Sequence, residues 1–184
     1  RGVSPTLIVR FISFLSASAI HVSSVDAGVF AQDMWTPRPW LTIEPGIRWD
    51  HASGIGDAIL SPRVASTIKP DASTTIAASV GRFADKVPLL ALAFPWLPAR
   101  SIQLYDAAGA AMAPPEFAAN VVGAPLVTPR AMRWNLELDQ HFASFLFRTR
   151  YEERYGHDEF VVNAVPGATV LTSSGSSSER SLEV

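Results

Sequence analysis

The chain has 184 residues, 15 Lys+Arg against 17 Asp+Glu, a formal net charge of -2 and no cysteine. That length fits one domain or a piece of a larger one. Near-neutrality leaves no electrostatic footprint for nucleic acid, and the missing cysteines exclude a disulfide scaffold, a thiolate metal cluster and a cysteine nucleophile. Hydrophobic residues reach 48% and charged residues only 17%, yet no run approaches the ~18 apolar residues of a membrane helix. A soluble β-rich domain remains, or a chain that crosses a membrane as strands.

The chain opens at Arg1 and closes on Ser181-Leu182-Glu183-Val184, which read as strand interior. The expectation is therefore a fragment. Residues 1–20 admit two readings. Arg1 and Arg10, the run Phe11 to Leu15 and the small residues Ser16 to Ala19 have the order of a signal peptide. Equally, Thr6 to Ser16 is rich in β-branched and aromatic residues behind Pro5, as in a strand.

Further on, 14 prolines and 11 glycines interrupt most windows long enough for a helix. Alternation is stronger. Leu41, Ile43, Ile47 and Trp49 are apolar, while Thr42, Glu44, Arg48 and Asp50 between them are polar. Successive side chains of a strand point to opposite faces, so this segment has an oily face and a charged one. The pattern returns with Met132, Trp134, Leu136 and Leu138 against Arg133, Asn135, Glu137 and Asp139. It continues with Phe145, Phe147, Thr149 and Tyr151 against Leu146, Arg148, Arg150 and Glu152. Weaker strands are read at Val25–Trp35, Leu60–Ile68, Thr74–Phe83 and from Ser177 to Val184. With Thr6–Ser16 this predicts about eight strands in an all-β antiparallel meander.

The expected connections alternate in length. Thr36 to Pro39, Lys69 to Ser73 and Gln140 to Ser144 are short; His51 to Ile59, Ala84 to Thr128 and Gly156 to Ser176 are long. One rim of tight turns and one of large loops is the asymmetry of an outer-membrane barrel. The mixed charges on the polar faces suit a hydrated lumen in which ions pair across strands. Trp35, Trp40, Trp49, Trp134, Tyr151 and Tyr155 are candidates for interfacial aromatic girdles. A soluble sandwich alternates in the same way, so a secreted or surface β-sandwich binding module is the alternative. Within residues 84–128, Val87 to Leu97 is apolar and Arg100–Tyr105 reads as an added strand. A buried helical turn or an extra strand pair is expected there, extending the wall.

Several stretches resemble TonB-dependent outer-membrane receptors. Phe30-Ala31-Gln32-Asp33-Met34-Trp35 is similar to their F-x-Q-D-x-W strand, and Leu41 to Asp50 to L-x-L-x-x-G-L-R-Y-D. Leu60-Ser61-Pro62-Arg63-Val64-Ala65 is similar to x-x-P-R-x-x, and Thr74 to Phe83 to T-x-L-R-x-x-x-G-x-F. Met132 to Gln140 and Leu171 to Val184 resemble the Oar-like subgroup, which carries a carboxypeptidase-regulatory-like domain before the plug. The resemblance implies a partial transmembrane β-barrel, a third or so of about 22 strands, in the outer membrane of a diderm bacterium. It implies outer-membrane lipid, an unidentified extracellular ligand and the TonB-ExbB-ExbD complex as partners, the last through a plug domain. No plug, TonB box or terminal aromatic strand is recognisable in residues 1–184, and segment 84–128 is expected to be a long extracellular loop. The residues expected to face the lumen are Glu44, Arg48, Asp50, Arg133, Glu137, Asp139, Arg148, Arg150 and Glu152.

Enzyme chemistry finds no foothold in the sequence. His21, His51, His141 and His157 are not spaced as H-E-x-x-H. Gly54-Ile55-Gly56 lacks the third glycine and the helix of a phosphate cradle, and there is no G-x-S-x-G elbow. Glu152 and Glu153 are adjacent, so a strand sends them to opposite faces. Tyr155 to Glu159 reads as a solvated turn that gathers one histidine and two carboxylates. No cofactor or metal is implied, and the expected role is transport rather than catalysis.

Overall fold

The computed structural model of the chain describes residues 9–15 and 19–184. Of the expected first strand, Val9–Phe14 is strand β1, while residues 6–8 and 16 lie outside the described range, as does most of the signal-peptide alternative. The remaining strands are β2 (Asp26–Gln32), β3 (Trp35–Arg38), β4 (Leu41–Ala52), β5 (Asp57–Ile68), β6 (Thr74–Ala84), β7 (Arg100–Tyr105), β8 (Glu116–Val122), β9 (Arg130–Phe142), β10 (Phe145–Val165) and β11 (Ala168–Glu183). One short helix, α1 (Leu89–Ala93), and a 3-10 turn (Phe94–Trp96) lie between β6 and β7. The chain is all-β and dominated by antiparallel pairing in a sheet that does not close, the architecture of a partial β-barrel.

Two units divide these elements. The larger comprises residues 24–87, 126–160 and 173–184. Its strands run in the order β2–β4–β5–β6–β9–β10, with β11 beyond β10 and β3 also paired to β4. Each neighbour in the β4-to-β10 series is antiparallel, with a continuous register from Leu41↔Ile68 and Ala52↔Asp57 to Phe145↔Phe142 and His157↔Arg130. Pro45 explains why β2 and β3 are two strands rather than one. The Asp33 N–H donates to the Pro45 carbonyl at 3.1 Å, so residue 45 presents its backbone groups to that side. Proline has no N–H to return the bond, and the ladder breaks at Asp33-Met34.

Tight turns join the strands at one rim: Pro39-Trp40, residues 69–73 and Ala143-Ser144, where Ala143 has φ 49°. In the second of these, the Asp71 carboxylate accepts from the Ser73 N–H (2.8 Å), the Ser73 hydroxyl (2.7 Å) and the Thr74 hydroxyl (3.0 Å). These bonds favour the ionised form, and Asp71 titrates below the usual carboxylate range. At the opposite rim β4 and β5 meet in a turn closed by Gly56, with φ 77° and its N–H on the Ala52 carbonyl at 2.8 Å.

Three expected connections are corrected. Thr36–Pro39 is mostly strand β3, and the His51–Ile59 loop shrinks to residues 53–56 because β4 and β5 pair out to Ala52↔Asp57. Gly156–Ser176 is almost wholly strand, turning only at Pro166-Gly167. Tyr155 to Glu159 therefore lies in β10 rather than in a solvated turn.

The smaller unit comprises residues 1–23, 88–125 and 161–172. β1 pairs β7, β7 pairs β8, and Ala168–Leu171 of β11 runs parallel to Ala119–Val122 of β8, the departure from a pure antiparallel meander. Segment 84–128 thus holds a helical turn and two strands. Asn120 ties its own strand to the turn below by donating to the Leu97 and Pro98 carbonyls at 3.1 and 3.2 Å. Ala91, Ala93 and Phe94 are buried, whereas Leu89, Leu90 and Trp96 are exposed.

Candidate functional site

Directly opposed residues of an antiparallel pair project to the same side, so the register assigns faces across the larger unit. Arg48 opposes Ser61; Gly46 opposes Arg63, which opposes Gly81, which opposes Arg133. Ala77 opposes Glu137, which opposes Arg150, and Thr75 opposes Asp139, which opposes Arg148. Glu44, Arg48, Asp50, Arg133, Glu137, Asp139, Arg148, Arg150 and Glu152 consequently share one face. The alternate residues Leu41, Ile43, Ile47, Trp49, Leu60, Val64, Val80, Met132, Trp134 and Leu136 share the other.

Among the described residues nothing covers that second face. Trp49 is 40% exposed, Leu60 52% and Leu136 47%, and Leu41, Ile43 and Trp134 are only half-buried. No described side chain is fully enclosed. A soluble sandwich would press these residues into a second sheet about 10 Å away. A contiguous apolar sheet face left open in this way marks an interaction or membrane surface.

The charged face is internally paired. Arg148 bonds Asp139 directly across the β9–β10 ladder at 2.6 Å and reaches Glu137 at 3.5 Å. Arg133 meets Glu152 at 3.3 Å, Arg150 meets Glu152 at 3.0 Å, and Arg48 meets Asp50 at 2.7 Å. Of the nine, Glu44 has no ion pair among the described residues and accepts from Gln32 at 3.5 Å. Such exposed pairs contribute about 0–1 kcal/mol each.

Glycines make room for this network. A Cβ on Gly28 would lie 2.7 Å from Asp50 Oδ1 and 2.9 Å from an Arg48 terminal nitrogen. Arg63 lies between Gly46 and Gly81, its Nε 3.1 Å from where a Gly46 Cβ would stand and its own Cβ 2.8 Å from that of Gly81. Gly46, Arg63 and Gly81, which belong to separate motifs in the sequence, form one cross-strand row. Arg133 extends it by stacking over Phe83, 5.6 Å from the ring centroid.

At the long-loop end of this face the sheet is hollowed into a cavity of about 480 Å³. Asp26, Gly28, Arg48, Asp50, Ile59, Ser61, Arg63 and Phe83 form its floor and sides, with Asp85–Val87 and Thr128 from the strand-leaving segments. Asp57 accepts from the Thr128 N–H and from Arg130, both at 3.3 Å, which pins the second segment. Ser61 and Thr128 are 4% and 3% exposed, and neither hydroxyl meets a hydrogen-bond partner among the described residues. An unsatisfied buried hydroxyl costs about 1–3 kcal/mol.

Two polar clusters escaped the sequence reading. Arg154, its side chain 16% exposed, bonds Asp85 at 3.1 Å and Glu159 at 3.4 Å, while the Ser177 hydroxyl donates to Glu159 at 2.6 Å. On the oily face, opposite Trp134, Glu153 accepts from Arg180 at 2.5 Å and from the Tyr155 hydroxyl. Glu152 and Glu153 do diverge to opposite faces, the first to Arg133 and Arg150 and the second to Arg180. Among the described residues no three His, Asp or Glu side chains are grouped to hold a metal ion.

No family model matches the chain, and neither does any curated protein. Solved structures do. A mutant of the ferric enterobactin receptor PfeA from Pseudomonas aeruginosa superposes with a TM-score of 0.65 at 14% identity, over 86% of this chain and 24% of the receptor. The siderophore receptor PirA from the same organism gives 0.65 at 15%, over 86% and 30%. The outer membrane transporter YddB from Escherichia coli gives 0.58 at 15%, over 86% and 21%. The chain spans about a quarter of the length of these proteins. At such identity the likeness is one of fold: the chain has the fold of a stretch of outer-membrane receptor barrel.

Proposed function

We propose that this chain is part of the barrel wall of a TonB-dependent outer-membrane transporter, of the Oar-like subgroup, in a diderm bacterium. Its oily face meets lipid and its charged face lines the hydrated interior. The observation that carries this reading is the uncovered apolar face backed by a paired ionic one. In hydrocarbon every backbone polar group needs a partner, so strands cross only in closed barrels. The ladders from β2 to β10 meet that demand wherever an inner strand is paired on both sides, as β6 is along its whole inner run with β9 and from Ile76 to Gly81 with β5.

The nine charged residues then stand on the lumen side, where they line a wet wall against a plug domain and do not catalyse. Import is powered by TonB-ExbB-ExbD through that plug, and segment 84–128 faces the cell exterior, where the ligand is met. The strand lengths fit this placement: β4, β5 and β9 have 12, 12 and 13 residues, against about 9–11 for a tilted crossing. The β-sandwich alternative is disfavoured because, among the described residues, no second sheet packs on Trp49, Leu60 or Leu136.

The testing experiment is outer-membrane recovery of variants with arginine on either face of β6. Arginine at Ala78, opposite Leu136, should block assembly; arginine at Ala77, opposite Glu137, should not. Normal assembly of both would refute the reading.

A further inference from the structure

The cavity at the long-loop end of the charged face has a composition that the barrel wall does not require. Of its four acidic residues, Asp50 is paired with Arg48, Asp57 with Arg130 and Asp85 with Arg154, while Asp26, at the edge strand β2, accepts from the Ser24 hydroxyl at 3.3 Å and has no ion pair among the described residues. Arg63 and Lys86 line the same cavity with no ion-pair or hydrogen-bond partner among the described residues. Arg63 is also aimed rather than free: the glycines at 46 and 81 leave it a slot across the sheet. Beside it, Ser61 and Thr128 hold hydroxyls that are buried and unpartnered. The volume, about 480 Å³, falls within the ~300–1,000 Å³ of small-molecule sites.

We propose that this cavity binds a small hydroxylated anion, its carboxylate or phosphate group held by Arg63 and its hydroxyls exchanging hydrogen bonds with Ser61 and Thr128. A guanidinium without a carboxylate partner is suited to an oxyanion. Serine and threonine hydroxyls both donate and accept, and turning between staggered χ1 wells presents them to a group in the cavity. The proposal rests on the charged face being the wet side of the wall, and it names the ligand class for that side.

The test is calorimetric titration of the protein, extracted from the outer membrane in detergent, with glucose 6-phosphate, gluconate and glucose. At least one of the two anions should bind, with glucose 10-fold weaker or more; which anion binds identifies the acidic group. Arg63→Gln should weaken the anion by about 10-fold or more, and Ser61→Ala and Thr128→Val by about 3–10-fold each. Thermal unfolding of the two hydroxyl variants should be unchanged or raised, because each removes an unpaired buried group. Absence of anion binding, equal binding of glucose, or an indifferent Arg63→Gln variant overturns the proposal. So does a loss of stability in Ser61→Ala and Thr128→Val with unchanged binding, which would assign the hydroxyls to a covering polypeptide. Any of these results with normal outer-membrane recovery and a failed Ala78→Arg variant sinks the cavity proposal alone. Tolerance of arginine at both Ala78 and Ala77 sinks the barrel reading beneath it.

Discussion

Ala77 and Ala78 give a controlled comparison within one strand. Both are half-buried alanines in β6. Ala77 stands between Thr67 and Glu137, and Ala78 between Ser66 and Leu136. Ala78 is the fifth residue of β6, which begins at Thr74 beside the 69–73 turn. At ~3.3 Å per residue and a tilt near 45° it rises about 10 Å above that rim. This is close to the middle of an apolar band ~25 Å tall. Arginine there should cost about 2–4 kcal/mol, or about 30- to 900-fold in the folding equilibrium. Arginine at Ala77 meets Glu137 across the ladder and should change stability by less than about 1 kcal/mol. Urea titration of refolding into phospholipid vesicles measures both. Equal costs, or a larger cost at Ala77, would refute the facing assignment.

Gly28→Val should push apart Arg48 and Asp50 and lower stability by about 1 kcal/mol, with the loss much reduced in an Arg48→Ser, Asp50→Ser background; urea unfolding of the cycle checks this. Glu153→Ala strands Arg180 on the oily face and should be destabilising, whereas Glu153→Leu with Arg180→Leu should restore or exceed the parent in the same assay. Asp71 has a folded-state pKa below its unfolded value of about 3.9. The folded state therefore binds fewer protons between the two values, and stability rises with pH there. The contribution is complete above about pH 4–5 and is lost as pH falls through the folded value. The difference in thermal stability between parent and Asp71→Ala should be flat near neutrality and vanish in acid. A difference that persists in acid would contradict the cited hydrogen bonds as its cause.

Legibility in the sequence followed the contrast between faces. β4, β9 and the first half of β10 alternate strongly because one side is charged and the other apolar, and their facing was readable residue by residue. The chain from Gly156 to Ser176, ahead of the strand read from Ser177, was not. His157, Asp158 and Glu159, then the Ser173–Ser178 run, carry no apolar period, yet they lie in β10 and β11. A strand held by backbone ladders with both sides polar needs no hydrophobic rhythm. β3 was hidden for another reason: Pro37 sits inside it, as an edge position allows. The cavity was invisible because Thr128 joins Ser61 and Arg63 of β5 only through the fold, its N–H held by Asp57, although Pro62-Arg63 already stood out as a motif. Glu153 and Arg180 are 27 residues apart, and no local pattern could have joined them.

The central claim is that the two faces of one sheet meet different solvents, and the absence of native cysteine allows it to be measured directly. A single cysteine is placed in turn at each position from Met132 to Asp139, spin-labelled, and the membrane-embedded protein is exposed to oxygen and to a water-soluble nickel chelate. Labels at Met132, Trp134, Leu136 and Leu138 should relax faster with oxygen, and labels at Arg133, Asn135, Glu137 and Asp139 with the chelate, alternating with period two. A profile without that alternation, or with the first set shielded from both reagents, would contradict the account.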